Sequence, residues 1–290
     1  MKFRNLICLA LVALLCAGCA PKPPAATQPP TEEVTQAPTE APTIAPTQPT
    51  EPEVTEPPSP SLLDFLSTAI RPVGSTMYIW GGGWNEEDTG AGTEAVTLGL
   101  SPQWAAFAAQ QDGSYNYKDH RYQIHDGLDC SGFVGWAVYN TLETENGRPG
   151  YVCKATDMAQ ALADRGLGTY LPPEEVTEWL PGDIVSMKGH VWISLGMCDD
   201  GSVLMVHASP PGVILCGTSL PDGKESQAVR LAAQLMAEHY PDWYEKYPRC
   251  DRSYSYLERS GAMRWSMLAD EEGLRSMSAE QVAEVLFSKG

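Results

Sequence analysis

The sequence predicts an α+β fold in which helices precede and follow an antiparallel sheet. Apolar residues recur at helical spacing before residue 165 and again after residue 225. Short β-rich runs separated by turn signals fill the middle of the chain. Such a run of hairpins between helices is typical of the α+β class. With 290 residues, 43% of them hydrophobic, the chain can bury a full core.

The first residues predict a secretory signal peptide over residues 1–18. A positively charged start precedes the apolar stretch 6–15, which is too short to cross a bilayer as a permanent helix. Ala17 and Gly18 directly before Cys19 resemble a bacterial lipobox, in which the cysteine is lipidated and becomes the new N-terminus. We therefore expect the protein to lie outside a bacterial cell, anchored to the membrane by a lipid on Cys19. A plain signal peptide with release of the protein is the alternative.

Residues 19–60 predict a disordered spacer. They are nearly all Pro, Thr, Glu, Ala and Gln, and an Ala-Pro-Thr unit recurs from Ala37 to Thr47. Such a composition buries too little apolar surface to offset the entropy of ordering the chain. Its prolines favour extended polyproline II, so the spacer could reach on the order of 100 Å. We expect one globular domain over residues 61–290.

The net charge of −18 narrows the classes of partner. Nucleic-acid binders need basic patches to displace counterions from phosphates, and binding to an anionic bilayer needs them too. We therefore expect no nucleic-acid partner. No cofactor and no metal are expected either, because His120 and His125 have no partners at a recognised metal-ligand spacing. We expect a monomer.

Several segments have helical spacing or helix-start signals. Ser61 is the expected N-cap of the first helix, and Ser278 with Gln281 fits a capping box that opens the last one. The predicted helices cover residues 62–70, 104–110, 130–142, 156–163, 227–239 and 278–287.

The predicted strands follow one another closely and are separated by Pro-Gly and Asp-Gly turn signals. They cover residues 183–187, 191–197, 203–208 and 213–216. Four further cysteines lie at 153, 198, 216 and 250. An exported protein permits disulfides, so Cys153 could pair with Cys250, and buried free thiols are the alternative.

Cys130 combines the features that a nucleophilic thiol needs. It opens a predicted helix, in the sequence Leu128-Asp129-Cys130-Ser131-Gly132-Phe133. A helix N-terminus lowers a thiol pKa, and a nearby imidazole lowers it further, which favours the reactive thiolate. Main-chain N–H groups at the same terminus can stabilise an oxyanion. We therefore expect a lowered pKa for Cys130.

Two histidines are candidates for the base and its orienting partner. His190 lies at the head of one predicted strand and His207 lies on the next. A four-residue loop over 198–201 would pair His207 with Trp192, whose side chain shares a face with His190. The two imidazoles would then sit diagonally, with Cβ atoms about 7–8 Å apart. One ring could orient and polarise the other, as in known triads of nucleophile, base and orienter.

Five short motifs together resemble the NlpC family, papain-like cysteine peptidases of bacterial cell walls. The resemblance covers roughly residues 70–220. The motifs occur in the order and style of that family, and they are Tyr78-Ile79-Trp80-Gly81-Gly82, Asp129-Cys130-Ser131-Gly132-Phe133, Pro181-Gly182-Asp183, Gly189-His190-Val191 and Val206-His207-Ala208. The resemblance implies a papain-like core, with the helix of the nucleophile packed on the sheet.

The resemblance also implies roles in catalysis. Cys130 would be the nucleophile, His190 the base and His207 the third polar residue. Tyr78 resembles the tyrosine whose hydroxyl contributes to the oxyanion hole. Family members usually cleave peptidoglycan stem peptides between D-Glu, through its γ-carboxyl, and the diamino acid.

Other residues would bind the substrate. Asp129 and Ser131 resemble the pair that can hold the free amine of an N-terminal L-Ala. Trp80 lies in the first motif, near the groove, where it could stack on the substrate. Trp192 stands where the family usually has a small residue, and it either narrows the groove or packs in the core.

The chain departs from the family in a long insertion over residues 83–127. We expect it to form a lid or wall beside the cleft, and a surface decoration is the alternative. Two other functions also remain open. One is an amidase of the related CHAP type, which cuts between sugar and peptide, and the other is a catalytically inert module that binds the cell wall.

Overall fold

A computed structural model describes residues 59–288 of the chain. The predicted signal peptide, the lipidation site Cys19 and nearly all of the predicted spacer therefore lie outside the described residues. The part of the chain that the structure describes has an α+β fold, as predicted, with helices before and after a run of antiparallel hairpins.

The six predicted helices are all present, with bounds that differ by at most two residues, and one further α-helix over residues 241–246 was not predicted. The predicted caps form, because Ser61 and Ser278 each accept a hydrogen bond from the third helical N–H in a reciprocal capping box. The α-helices are α1 (Leu62–Ile70), α2 (Pro102–Ala109), α3 (Cys130–Leu142), α4 (Met158–Asp164), α5 (Gln227–His239), α6 (Pro241–Lys246) and α7 (Ala279–Phe287).

The strands join into one mixed sheet. In chain order they are β1 (Met77–Tyr78), β2 (Gly127–Leu128), β3 (Gly168–Leu171), β4 (Ile184–Met187), β5 (His190–Met197), β6 (Val203–Ser209), β7 (Gly212–Thr218), β8 (Asp251–Arg252) and β9 (Gly261–Trp265). Their order in the sheet is β2-β1-β7-β6-β5-β4-β9-β3, and β8 also pairs with β7. Purely antiparallel pairing was predicted, and this is wrong at two short pairs, since β2 runs parallel to β1 and β8 runs parallel to β7.

The sheet also contains strands that the sequence did not predict. β9 pairs with β4 on one side and with β3 on the other, so it extends the hairpins at their open edge. Arg264 of β9 makes a bidentate ion pair with Asp183, with Nε–Oδ1 and Nη2–Oδ2 distances of 3.0 and 2.8 Å. The Asp183 side chain is almost completely buried, so this pair fastens the C-terminal segment to the start of β4.

Helix α3 packs against β5 and β6, and this contact brings Cys130 to the sheet. A run of glycines permits a second close contact at the first turn of α3. A Cβ atom on Gly132 would lie 2.0 Å from the carbonyl oxygen of Gly82, so no side chain fits at that position. The Gly82 carbonyl also accepts a 2.9 Å hydrogen bond from the Asp129 N–H. The first and second sequence motifs are therefore in direct main-chain contact.

The insertion over residues 83–127 belongs to the folded body. Trp104 of α2 is buried and packs edge-on against Trp136 of α3, with ring centroids 5.9 Å apart. The Trp136 indole N–H donates a 3.1 Å hydrogen bond to the Gly99 carbonyl. The insertion is therefore packed into the domain, and its role as a lid or wall beside the cleft stays a prediction.

Two further expectations have structural outcomes. The cysteines at 130, 153, 198, 216 and 250 are all free, so the possible pair of Cys153 with Cys250 is not formed. Between residues 59 and 288, no helix combines the length and the apolar character that a membrane crossing requires.

Candidate active site

Cys130 is the first residue of α3 and is almost completely buried. The main-chain N–H of Val191 lies close enough to its thiol to lower the thiol pKa. Val191 directly follows His190 at the head of β5, so the thiol lies beside the strand that carries the candidate base. The structure thus brings Cys130 and the start of β5 together, as the sequence predicted.

Asp129 and Ser131 are engaged with the protein itself. Asp129 caps α3, where its Oδ1 accepts hydrogen bonds from the Gly132 N–H at 2.7 Å and from the Ser131 hydroxyl at 2.9 Å. The Ser131 hydroxyl also accepts a 3.0 Å hydrogen bond from the Trp84 indole N–H. Ser131 is only 3% exposed. The implied role of this pair in holding a substrate amine therefore lacks geometric support, because both side chains are occupied by capping and by Trp84.

His190 and His207 form a hydrogen-bonded pair. His190 Nε2 lies 2.9 Å from His207 Nδ1, and the ring planes cross at 76°. His207 is completely buried, and its Nε2 has no partner within residues 59–288. The pairing expected from strand parity is therefore present, at hydrogen-bonding distance.

The strand register that creates this pair has an unexpected origin. The loop between β5 and β6 holds five residues, since Met197 pairs with Val203. A β-bulge between Ser194 and Gly196 then shifts the register by one residue. Ile193 pairs with Val206 as a result, which is the register that the shorter predicted loop would give. The extra loop residue and the bulge therefore offset each other, and the strands are in the predicted register next to the histidines.

Tyr78 lies beside Cys130 and contacts the insertion. Burial raises the pKa of Tyr78, and a thiolate at Cys130 would raise it further. The Tyr117 ring packs edge-on against the Tyr78 ring, with centroids 5.5 Å apart. The Tyr115 hydroxyl donates a 2.7 Å hydrogen bond to the Tyr78 carbonyl. Both of these tyrosines belong to the insertion, so the insertion packs directly against Tyr78.

The two candidate tryptophans have different environments. Trp80 is 47% exposed, and the Arg121 guanidinium lies 5.7 Å from the centre of its ring. Its neighbour Gly81 lines a cleft of about 490 Å³ that runs past Trp84 and Tyr122. Trp192, by contrast, is fully buried and packs on Trp179 with centroids 5.6 Å apart. Trp192 is therefore a core residue, and its assignment to substrate binding is wrong.

The protonation state of Cys130 differs from the sequence expectation. Burial raises the pKa of Cys130 to about 12, and the neighbouring Asp129 carboxylate acts in the same direction. Main-chain N–H groups of Val191, Ser131 and Cys130 itself lower the pKa, but by less. The predicted lowering of the Cys130 pKa is wrong for this substrate-free structure, because the helix-terminus argument neglected desolvation.

The histidines are also held neutral. Burial lowers the pKa of His190 to about 3, and the positive charge of Arg252 adds to this effect. Burial and then Arg252 lower the pKa of His207 well below its usual range, and His190 contributes as well. The site without substrate therefore contains a neutral thiol and two neutral imidazoles.

Two residues of this site were missed by the sequence analysis. Arg252 of β8 is largely buried, and Tyr256 of the short 3₁₀ turn Tyr254–Tyr256 packs on both imidazoles. Both follow the region covered by the family resemblance, and neither lies in a motif. They lie between the predicted helices 227–239 and 278–287, where no element was predicted, so no signal in the sequence marked them.

The described residues contain no group of three or more His, Cys, Asp or Glu side chains that could hold a metal ion. No protein-family model matches the chain, and neither a curated protein nor a solved structure matches it significantly.

Proposed function

We propose that this chain is a cysteine peptidase of papain-like design that hydrolyses an amide bond in peptidoglycan stem peptides. The bond between γ-D-glutamyl and the diamino acid is the favoured target, on the strength of the sequence resemblance. The observation that carries the proposal is the hydrogen bond between His190 and His207, on a strand whose next residue, Val191, lies beside the Cys130 thiol. A thiol at a helix N-terminus, a base next to it and an orienting group behind the base are the parts that thiol catalysis needs.

Cys130 and His190 exchange a single proton in the proposed reaction. When the Cys130 sulfur attacks the substrate carbonyl, its proton passes to His190, and a carbon–sulfur bond forms. His190 then gives this proton to the leaving amine as the carbon–nitrogen bond breaks. Water, deprotonated by His190, hydrolyses the thioester and regenerates the thiol. No cofactor is required for these steps.

His207 would select the useful tautomer of His190. If His190 donates its Nε2 proton to His207 Nδ1, its own Nδ1 keeps a lone pair and can act as a base. His207 then carries its proton on Nε2, the buried atom that lacks a partner in residues 59–288. The main-chain N–H of Cys130 and the Tyr78 hydroxyl would each donate a hydrogen bond that stabilises the oxyanion of the transition state.

The proposed location follows from the sequence alone. A lipid on Cys19 would hold the enzyme at the outer face of the bacterial membrane, and the spacer 19–60 would let the domain reach wall material. The partner in that setting is the peptidoglycan stem peptide.

One observation favours a second candidate, the inert module that binds the cell wall. The raised pKa of Cys130 and the lowered pKa of His190 both disfavour an ion pair of thiolate and imidazolium. Such a site would be a relic if substrate binding did not change these values. We retain the peptidase as the main proposal because the complete Cys-His-His constellation is present.

Product analysis separates the candidates. The purified domain is incubated with peptidoglycan of several stem-peptide types, and the released fragments are analysed by mass spectrometry. A new amine on the diamino acid supports the proposed peptidase, whereas a new amine on L-Ala released from the sugar supports the CHAP-type amidase. Binding to peptidoglycan without any released fragment supports the inert module.

A further inference from the structure

Tyr256 covers the histidine pair from a part of the chain that lies far from it in sequence. Its ring centroid lies 5.5 Å from that of His190 and 6.1 Å from that of His207. The ring planes meet those of the imidazoles at 67° and 71°, so both contacts are edge-to-face. Edge-to-face contact is a favoured arrangement of aromatic rings, so it holds each imidazole at a defined angle to the phenol. One side chain therefore restrains both rings.

The chain holds Tyr256 in place through β8 and the turn that follows. Arg252 pairs with Thr218 of β7, and the Ser253 side chain accepts a hydrogen bond from the Ser255 N–H to start the 3₁₀ turn. The Arg252 guanidinium counteracts the rise in the pKa of Tyr256, which places positive charge beside the phenol. The tyrosine is thus fixed on one side by the histidines and on the other by β8.

We propose that Tyr256 is a positioning residue that keeps His190 and His207 in one hydrogen-bonded geometry, with Arg252 as its support. This inference rests on the proposed function, since it concerns the same site. The restraint matters because His190 has to meet the Cys130 sulfur with one nitrogen while the other stays bonded to His207. A ring free to rotate would spend part of its time in unproductive orientations.

The surroundings of the pair explain why an uncharged ring suits this position. Arg252 of β8 is the charged group that acts on both histidines, and it also acts on Tyr256, where Cys130 of α3 and Cys216 of β7 contribute as well. An acidic side chain in place of Tyr256 would favour imidazolium before substrate arrives. The phenol restrains the rings without that effect, so His190 remains a neutral base.

The test compares Tyr256→Ala with Tyr256→Phe, with Tyr254→Ala as the matched control. Tyr254 lies in the same 3₁₀ turn, but it makes no aromatic contact with either histidine in the described structure. We expect Tyr256→Ala to lower kcat about tenfold or more with KM changed less than about threefold. Tyr256→Phe keeps the ring, and Tyr254→Ala leaves the site intact, so both should stay within about threefold of wild type.

A second readout does not depend on hydrolysis. In the Cys130→Ala protein, nitrogen NMR of the imidazoles should show one tautomer for each histidine, and adding Tyr256→Ala should give averaged tautomers. If Tyr256→Ala fails to fold, Tyr256→Leu keeps apolar volume without the aromatic ring and takes its place. Unchanged kcat together with unchanged imidazole signals would overturn the inference. If wild type hydrolyses nothing but the NMR change is seen, the proposed function fails while the positioning role stands.

Discussion

The indole N–H of Trp84 donates a 3.0 Å hydrogen bond to the hydroxyl of Ser131. This contact joins the insertion to the first turn of the helix that carries Cys130. The same hydroxyl donates to Asp129, the N-cap of that helix. Trp84, Ser131 and Asp129 therefore form a chain of hydrogen bonds that ends at the N-terminus of α3. The insertion thus supports the start of the helix that carries Cys130.

Trp84→Phe removes the indole donor and keeps an aromatic ring. We expect the free energy of unfolding to fall by about 1–2 kcal/mol, from the lost hydrogen bond and the smaller ring. Chemical denaturation measures this change. Trp80→Phe is the control, because Trp80 is 47% exposed, and it should cost less than about 0.5 kcal/mol. Equal costs for the two variants would show that the Ser131 contact contributes nothing.

Asp129→Asn separates the capping role of this residue from its charge. Asparagine caps helices about as well as aspartate, so stability should change by less than about 1 kcal/mol. The loss of the negative charge should lower the pKa of Cys130, which Asp129 helps to raise. The midpoint of the pH dependence of iodoacetamide labelling, followed on the Cys130 peptide by mass spectrometry, should then move to lower pH.

The control for that experiment is Asp126→Asn, which removes a carboxylate three residues earlier in the chain. The charge of Asp126 does not contribute to the raised pKa of Cys130. Its labelling midpoint should equal that of wild type. A midpoint that is the same in Asp129→Asn and wild type would contradict the electrostatic account of the raised thiol pKa.

The buried histidines should make stability depend on pH in a defined range. The pKa of His190 is lowered to about 3 in the folded protein, against about 6.5 in an unfolded chain. Between these values the unfolded state binds one more proton, so stability falls as pH falls. The stability that depends on a neutral His190 is fully present above about pH 6.5 and is lost below it, at up to about 1.4 kcal/mol per pH unit.

Removing His190 should therefore flatten the curve of stability against pH. His190→Gln keeps a group that can bond to His207, but it does not titrate. The free energy of unfolding is measured by chemical denaturation between pH 7 and pH 4. Its slope against pH should be smaller in His190→Gln than in wild type, and His207 should account for part of the slope that remains. Parallel curves for wild type and His190→Gln would refute the lowered pKa.

The ion pair of Arg264 with Asp183 should be essential for stability. Arg264→Met leaves the buried Asp183 carboxylate without its bidentate partner, and this should lower the free energy of unfolding by about 3–5 kcal/mol. Thermal and chemical denaturation measure the loss. Arg249→Met is the control, since Arg249 pairs with Asp251 at the surface and such pairs contribute at most about 1 kcal/mol. A similar small loss in both variants would contradict the structural role of Asp183.

Local signals in the sequence predicted the helices well. The bounds of α3 and α5 agree with the structure at both ends, and Ser61 and Ser278 cap α1 and α7 as expected. These features depend on residues a few positions apart, whose periodicity and capping can be read directly. The pairing of β5 with β6 was also predicted from local signals. Its register depends on a longer loop and a β-bulge that offset each other.

Features that depend on distant segments were not predictable in this way. β9 inserts beside β4 although about 75 residues separate them, and Tyr256 reaches the histidines from the same C-terminal region. The prediction of a lowered pKa for Cys130 was wrong for a related reason. The sequence shows that the thiol begins a helix, but it does not show how completely neighbouring segments exclude water from it.

The central claim is that the Cys130 thiol performs hydrolysis, and paired rate measurements test it most directly. Wild type, Cys130→Ala and Cys153→Ala are purified, checked for folding by circular dichroism, and compared for fragment release from the same peptidoglycan. Cys153 is a partly buried free cysteine outside the site, so its variant controls for the loss of any thiol. We predict that Cys153→Ala keeps the wild-type rate and that folded Cys130→Ala releases no fragment. Release by Cys130→Ala at a rate near that of wild type would contradict the account.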